Sequence, residues 1–167
     1  LRASQFLPDH DLSEVATAYV RARGGDRMSS FGDVAAVSDR VDRSLAEVLK
    51  REVSDLIIAP DFEPDALAIL KSKKKGGYLI FQIDPDYEPP EIERREFFGF
   101  QLEQKRNNVK ISPSLFENVV TSPTSIPTEV LETLTVATIA VKYTQSNSVC
   151  VAFDGQVIGV GAGQQSR

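Results

Sequence analysis

The stretch "SLAEVLKREVSDLIIAPDFEPDALAIL", residues 44–70, places an apolar run of strand length between two helix-like segments. Ser44 and Glu47 have the spacing of a capping box, which predicts that a helix begins at Ser44. Residues 56–59 predict a strand, and the apolar repeat that follows Pro64 predicts a second helix. A helix, a strand and a helix joined by brief connectors favour an α/β layer architecture.

Similar patterns extend this arrangement in both directions. Apolar residues at helical spacing from Leu12 to Val20, with Gly24 and Gly25 beyond them, predict a first helix. Apolar runs at 33–37 and 78–83 predict two more strands, so the sheet should be largely parallel through about residue 83. In such sheets, strand ends and the loops that follow them hold ligands. Further along, the patterns predict an acidic, proline-rich surface excursion at 84–93, a strand at 97–102 and a helix after Pro127.

The last part of the chain predicts a β-hairpin. The β-branched runs 149–153 and 156–160 are separated only by Asp154-Gly155, a pair that favours the positive φ angles of a two-residue type I′ turn. Polar clusters flank this hairpin at 145–148, "QSNS", and at 161–167, "GAGQQSR". Asn147 and Arg167 should therefore lie at the open end of the hairpin and face one small anionic ligand. The alternative is a polar hairpin mouth in water.

The composition is that of an ordinary globular chain and predicts one domain. The chain has 167 residues and a formal net charge of -5, which argues against a nucleic-acid or anionic-membrane surface. The lysine-rich run 71–75 is interpreted as the cationic end of a helix. The single cysteine, Cys150, lies in an apolar run, which favours a small buried side chain in a reducing compartment. A Leu at position 1 and a motif at the end suggest a piece of a longer polypeptide.

Two segments carry candidate binding residues. In "RMSSFGD", residues 27–33, Phe31 can offer a flat face to a heterocycle while Gly32 lets backbone approach it. The more common role of such an aromatic side chain is to cover the core. Asp55 lies immediately before an apolar strand, where its carboxylate can accept a hydrogen bond from a ligand hydroxyl or cap a backbone amide.

The sequence lacks the residue sets of several common catalytic sites. The only histidine, His10, lies in the polar segment "PDHD", so Ser/His and Cys/His catalysis lack a buried base. One histidine and one cysteine cannot supply a zinc deaminase site, and the chain has no G-x-x-x-x-G-K-[ST] loop. The residues thus predict a binding surface without evident proton-transfer groups; its members are Phe31, Gly32, Asp55, Asn147 and Arg167.

Five motifs resemble one enzyme family: "ARGGDRMSSFGD", "REVSDLIIAP", "QKRNN", "VATIAVKYTQSNSVC" and "GQVIGVGAGQQSR". They are similar to the transformylase half of the bifunctional AICAR transformylase/IMP cyclohydrolase family, from about Leu12 to Arg167. Leu56 stands where the family commonly has Gly, and Val151 where an aromatic residue is usual. The resemblance implies a cytidine-deaminase-like layered α/β fold, with a mixed sheet, flanking helices and no zinc. It also implies transfer of the formyl group of 10-formyltetrahydrofolate to the 5-amino group of AICAR, which gives FAICAR in purine biosynthesis.

The same resemblance implies roles for the candidate residues. Phe31, Gly32 and Asp55 would contact the AICAR ribotide. Asn147 would hydrogen-bond the carboxamide or orient the formyl transfer, and Arg167 would contact the AICAR nucleotide. A monovalent cation, usually potassium, is implied near the "VKYTQSNS" turn, with oxygen ligands from Val141, Thr144, Ser146 and Ser148.

The family's catalytic base and oxyanion donor come from a Lys-His pair, and this chain contains no Lys-His dipeptide. Residues 1–167 are therefore expected to be an internal part of the transformylase domain that is inactive alone. The resemblance implies a cytosolic, homodimeric parent enzyme, and neither nucleic acid nor a membrane is expected as a partner. The alternative is a non-catalytic ribotide-binding or interaction module that keeps the fold.

Overall fold

The computed structural model describes residues 11–120, 122 and 125–166, and it confirms the α/β class. The described residues form the α-helices α1 Glu14–Gly24, α2 Arg43–Arg51, α3 Pro64–Ser72 and α4 Thr128–Tyr143. The strands are β1 Asp33–Ala36, β2 Ser54–Ala59, β3 Leu79–Gln82, β4 Ile92–Phe97, β5 Phe100–Lys105, β6 Val149–Phe153 and β7 Gln156–Gly161. Short 3-10 helices cover Lys73–Gly76 and Pro113–Phe116.

The first three strands form a parallel sheet in the order β1-β2-β3, as the sequence predicts. Because the strands are parallel, all three begin on the same side of the sheet, which is called its amino end below. The loops before β1 and β3 meet the first residues of β2 at this end. The amino end is therefore a place where distant segments of the chain come together.

The hydrophobic core lies between this sheet and the helices α1, α2 and α3. Leu45, Leu49, Ile57 and Leu70 have no exposed surface. The side chain of Asp42 accepts a hydrogen bond from the Leu45 amide and so caps α2. The capping box predicted at Ser44 is wrong in this respect: the Ser44 hydroxyl instead accepts from the Ser13 amide, because Asp42 already occupies the cap position.

The predicted strand at 97–102 is wrong. Two strands, β4 and β5, pair antiparallel here, and the chain turns between them at Phe98 and Gly99. Both residues have positive φ, 47° and 79°, as a tight hairpin turn requires. The turn breaks the apolar run in half. Parallel and antiparallel strands accordingly lie in separate sheets within the described residues, instead of in one mixed sheet.

The predicted C-terminal hairpin is confirmed as β6 and β7, with Asp154 and Gly155 at φ 50° and 66°. It packs against α4, where the half-buried Cys150 donates a hydrogen bond to the Ala137 carbonyl at 3.4 Å. Its turn end also contacts α1. A Cβ at Gly25 would lie 2.4 Å from the Val157 carbonyl oxygen, so glycine at this position permits close approach. In the described part of the chain, no helix is long and apolar enough to cross a membrane.

Candidate functional site

The amino end of the parallel sheet brings two predicted binding segments together. Gly32 lies just before β1, and its amide donates to the Val53 carbonyl at 2.9 Å, immediately before β2. A Cβ at Gly32 would be 3.6 Å from Asp55 Oδ2, and Gly32 has a φ of 78°. Gly32 and Asp55 are therefore neighbours in space although the sequence separates them. They lie before the strands or at their first residues, whereas the sequence pattern favours the strand ends and the loops that follow them.

Phe31 is not part of the core, so the more common role considered for it above is wrong. Its side chain is 72% exposed. The turn that presents it is organised by Asp26, whose carboxylate accepts hydrogen bonds from the Met28 and Ser29 amides and from the Ser29 hydroxyl. These Ser29 and Met28 contacts lower the pKa of Asp26. The ring is thus held on a structured loop, with its surface open to a ligand.

Asp55 is engaged by a lysine from the third segment of this end. Its Oδ1 accepts a hydrogen bond from Lys74 Nζ at 2.6 Å. The two side chains are 61% and 41% exposed, so this ion pair is in contact with water. The expectation that the carboxylate caps a backbone amide is not met in the described residues, where Lys74 is its partner instead.

A charged network lies behind this surface. The Arg23 guanidinium is only 8% exposed and contacts two carboxylates, Asp33 at 2.8 Å and Glu52 at 3.1 Å. Tyr19 donates its hydroxyl proton to Asp33 Oδ2 at 2.8 Å. Burial, followed by this hydrogen bond and the Asp33 charge, raises the pKa of Tyr19. The network ties α1 to the starts of β1 and β2.

Lys73 and Tyr78 anchor the turn before β3. Lys73 Nζ donates to the Glu52 carbonyl at 2.6 Å and lies 5.3 Å from the centre of the Tyr78 ring. The Tyr78 hydroxyl is hydrogen-bonded to the buried Ser54 hydroxyl at 2.9 Å. Burial lowers the pKa of Lys73 and raises that of Tyr78. The lysine run lies at the end of α3, as the sequence predicts, but its member Lys73 is buried.

Asn147 lies in a second group, at the open end of the C-terminal hairpin. Its side-chain amide donates to the Gln164 carbonyl at 3.3 Å, and the Gln164 amide donates to the Asn147 carbonyl at 3.0 Å. Gly163 donates to the Gln145 carbonyl at 2.9 Å. The two polar clusters that flank the hairpin thus meet, as the sequence predicts. Arg167 lies outside the described residues, as does His10.

The residues proposed as cation ligands surround the C-terminal end of α4. The Val141 carbonyl accepts from the Thr144 amide, and the Thr144 hydroxyl donates to the Ala140 carbonyl at 2.6 Å. A helix C-terminus carries partial negative charge, and carbonyl and hydroxyl oxygens are suitable ligands for a hard cation. The donor chemistry here therefore fits potassium. Within the described residues, no cluster of three or more His, Cys, Asp or Glu side chains could hold a metal ion.

The structure does not join the two groups directly. In the described ranges, no hydrogen bond or ion pair links Asn147 to Gly32 or Asp55. The hairpin contacts α1 through its opposite end, where Arg21 pairs with Asp154 and the buried Gln156 side chain donates to the Arg21 carbonyl at 2.7 Å. The amino-end group and the Asn147 group are thus separate parts of the chain's surface.

Two sets of site residues were missed at the level of sequence. Lys74 was read as part of a helix end, although "KKKGG" also has the composition of a tight turn. Arg23, Asp33 and Glu52 occupy three separate segments, and nothing in their local spacing indicates that they meet. The packing of α1 against the starts of β1 and β2 brings them together.

Fold and site together define an α/β protein with an exposed aromatic and a paired carboxylate at the amino end of a parallel sheet. The chain belongs to the AICARFT/IMPCHase bienzyme family, whose model matches residues 11–167.

Curated relatives agree with this assignment. The chain is similar to the "Bifunctional purine biosynthesis protein PurH" of Ligilactobacillus salivarius, with 36% identity over 153 residues, 92% of this chain and 30% of the relative. It is also similar to the protein of the same name from Jannaschia sp., with 34% identity over 155 residues, 93% of this chain and 29% of the relative. The chain therefore spans about three tenths of the length of these relatives.

Proposed function

We propose that residues 1–167 are a partial AICAR transformylase domain that holds the AICAR ribotide while it accepts a formyl group from 10-formyltetrahydrofolate. The observation that carries the proposal is the grouping of Gly32 and Asp55 at the amino end of the sheet, beside the exposed ring of Phe31. Three chemically suitable groups from two distant segments meet on one accessible surface.

Each group suits a different part of a ribotide. The exposed Phe31 ring can stack on the imidazole. Asp55 offers carboxylate oxygens that accept hydrogen bonds from ribose hydroxyls. Gly32 has no side chain between the loop and the Asp55 carboxylate, so a sugar can approach both.

Asn147 has a different role in the proposal. It is uncharged, so it acts as a hydrogen-bonding and orienting group for the carboxamide or the reacting formyl group, and not as a base. Arg167 contacts the AICAR nucleotide through a charged fork. Potassium, when bound by Val141, Thr144, Ser146 and Ser148, would supply a positive charge that orders the turn next to Asn147. These assignments follow from the family's motifs.

The AICAR amine is a weak nucleophile, so formyl transfer needs a general base and an oxyanion donor. The family's Lys-His pair is absent from this chain. We expect the 167-residue chain to show no measurable transfer, because losing both groups removes about 10⁴-fold or more of the rate. In the proposal, the fold is cytidine-deaminase-like, and the whole enzyme is a cytosolic homodimer.

The test compares two exposed aspartates in the full-length protein that the gene encodes. Asp55→Asn should raise the KM for AICAR by about 10- to 100-fold, because it weakens a charge-assisted hydrogen bond. Asp61→Asn is the matched control: Asp61 follows β2 at the opposite end of the sheet and is likewise exposed and paired, with Arg40 at 2.9 Å. It should leave the KM unchanged.

A reversed result, with the larger effect at Asp61, would move the site to the carboxyl ends of the strands and contradict the proposal. The non-catalytic alternative is separated by the same assay. Saturable AICAR binding without any turnover in the full-length protein would favour a ribotide-binding module over an enzyme.

A further inference from the structure

The turn between α3 and β3 contains an unusual pair of backbone conformations. Lys74 and Lys75 have φ angles of 51° and 54°, and Gly76 follows at 90°. Two consecutive lysines in the left-handed region are uncommon, because their Cβ atoms crowd the backbone there. The Gly77 amide closes the turn by donating to the Lys74 carbonyl at 3.1 Å.

Neighbouring contacts fix the position of this turn. The preceding Lys73 is buried, and its ammonium is held by the Glu52 carbonyl and by the Tyr78 ring. As a result, the Lys74 side chain leaves the turn toward the start of β2 and reaches Asp55. The contacts of Lys73 before it and the closed turn after it thus direct the Lys74 ammonium toward the Asp55 carboxylate.

The two oxygens of Asp55 have different surroundings. Oδ1 accepts the Lys74 hydrogen bond at 2.6 Å, whereas Oδ2 is the oxygen nearest to the space above Gly32. We propose that Lys74 is a positioning residue, which holds Oδ1 so that Oδ2 is presented to the ribose hydroxyls of the ribotide. This inference rests on the proposed function of Asp55.

The alternative for such a pair is a solvent-exposed ion pair with no effect on binding, since exposed pairs contribute little on average. A second alternative is direct contact of Lys74 with the ligand's phosphate. The three possibilities differ in how the effects of Lys74 and Asp55 combine. A positioning residue loses its effect when Asp55 is already altered, whereas an independent ligand contact keeps it.

The experiment is a double-mutant cycle in the full-length protein, with AICAR kinetics and AICAR binding as readouts. Lys74→Asn removes the ammonium, and asparagine tolerates the left-handed backbone. It should raise the KM for AICAR by about five- to tenfold and leave kcat within about twofold. Lys74→Arg, which retains a cation, should recover most of the affinity. Lys75→Asn is the control, since Lys75 has the same backbone conformation one residue away; it should change the KM by less than about twofold.

The cycle separates the possible failures. In the Asp55→Asn background, Lys74→Asn should have no further effect. Additive effects would show an independent ligand contact and overturn the inference. An unchanged KM in Lys74→Asn, with a raised KM in Asp55→Asn, would overturn the inference and leave the proposed function intact. An unchanged KM in Asp55→Asn would instead contradict the proposed function itself.

Discussion

Residues 11–78 and residues 79–166 have similar kinds of local structure but very different burial. In the described residues, the buried apolar side chains all lie between Ala16 and Tyr78. The second region exposes large apolar side chains on β3 and on both hairpins, among them Phe81, Phe97, Phe100 and Phe153. Helix α4 contains no fully buried residue. Hairpin and helix signals thus specify the elements of the second region without specifying a core for it.

Ion pairs show the same contrast. Arg23 is almost fully buried, and its guanidinium contacts the carboxylates of Asp33 and Glu52. Arg94 pairs with Glu103 across β4 and β5, but both side chains are largely in water. A buried pair is costly to break because one charge is left uncompensated, whereas a pair in water is worth little. Both apolar and charged interactions therefore concentrate stability in the first region.

The largest effect is expected where the two regions differ most. Leu49 is fully buried on α2, so Leu49→Ala should lower the free energy of unfolding by about 3 kcal/mol, through lost transfer energy and a cavity. Phe100 is 72% exposed, and Phe100→Ala should cost about 0.5 kcal/mol. Urea unfolding of the 167-residue chain measures both. Equal costs would mean that the second region is buried in solution and that the contrast does not hold.

The contrast also explains how much of the fold the sequence predicts. The C-terminal hairpin was predicted because Asp154-Gly155 is an ordinary left-handed turn pair, and α3 was predicted because Pro64 suits a first helical turn. The β4-β5 hairpin was missed because Phe98 occupies a left-handed position that aromatic residues seldom adopt. A turn or a helix start can be predicted when a residue type typical of that position is present. Where another residue type occupies the position, tertiary contacts determine the conformation and the sequence gives no local signal.

The candidate site was predicted in part for the same reason. The motifs indicated Gly32 and Asp55, but the contribution of Lys74 depends on a left-handed turn that three lysines do not signal. For Phe31 the sequence leaves both a binding role and a core role open, because an apolar residue type alone does not report on exposure. The turn that presents its ring is held by the Asp26 carboxylate, which accepts hydrogen bonds from the Met28 and Ser29 amides.

An intermediate effect is expected at the contact between the two regions. A methyl group at Gly25 would lie 2.4 Å from the Val157 carbonyl oxygen, so either α1 or β7 must move. Gly25→Ala should lower the free energy of unfolding by about 2 kcal/mol through overpacking. Gly159→Ala is the matched control in the same hairpin, since nothing lies within 4 Å of a Cβ there. It should cost about 0.5 kcal/mol or less. Indistinguishable variants would show that the hairpin does not pack on α1 in solution.

The smallest expected effect concerns the alkaline stability of the first region. Burial and the hydrogen bond to Asp33 raise the pKa of Tyr19 above its ordinary value of 10.0, so the folded state keeps a proton that the unfolded state has lost. The contribution of Tyr19 to the free energy of unfolding is therefore fully present below pH 10 and declines as the pH rises above 10. Tyr19 should account for a loss of about 1.4 kcal/mol by pH 11, because one bound proton changes stability by about that amount per pH unit.

Lys73 changes the free energy of unfolding in the opposite direction as the pH rises. Its pKa is lowered in the folded state, so its deprotonation increases stability as the pH rises toward 10.5, the ordinary lysine value. A wild-type pH profile would mix the two contributions, and the difference between wild type and Tyr19→Phe isolates the contribution of the tyrosine.

Urea unfolding at pH 8 and pH 11 should show a smaller alkaline loss of stability in Tyr19→Phe than in the wild type. Tyr87→Phe, at a phenol that is 63% exposed in the second region, should leave that loss unchanged. If Tyr19→Phe and the wild type lost the same stability between these pH values, the buried Tyr19–Asp33 contact would not persist in solution, and the electrostatic contrast between the two regions would lose its main support.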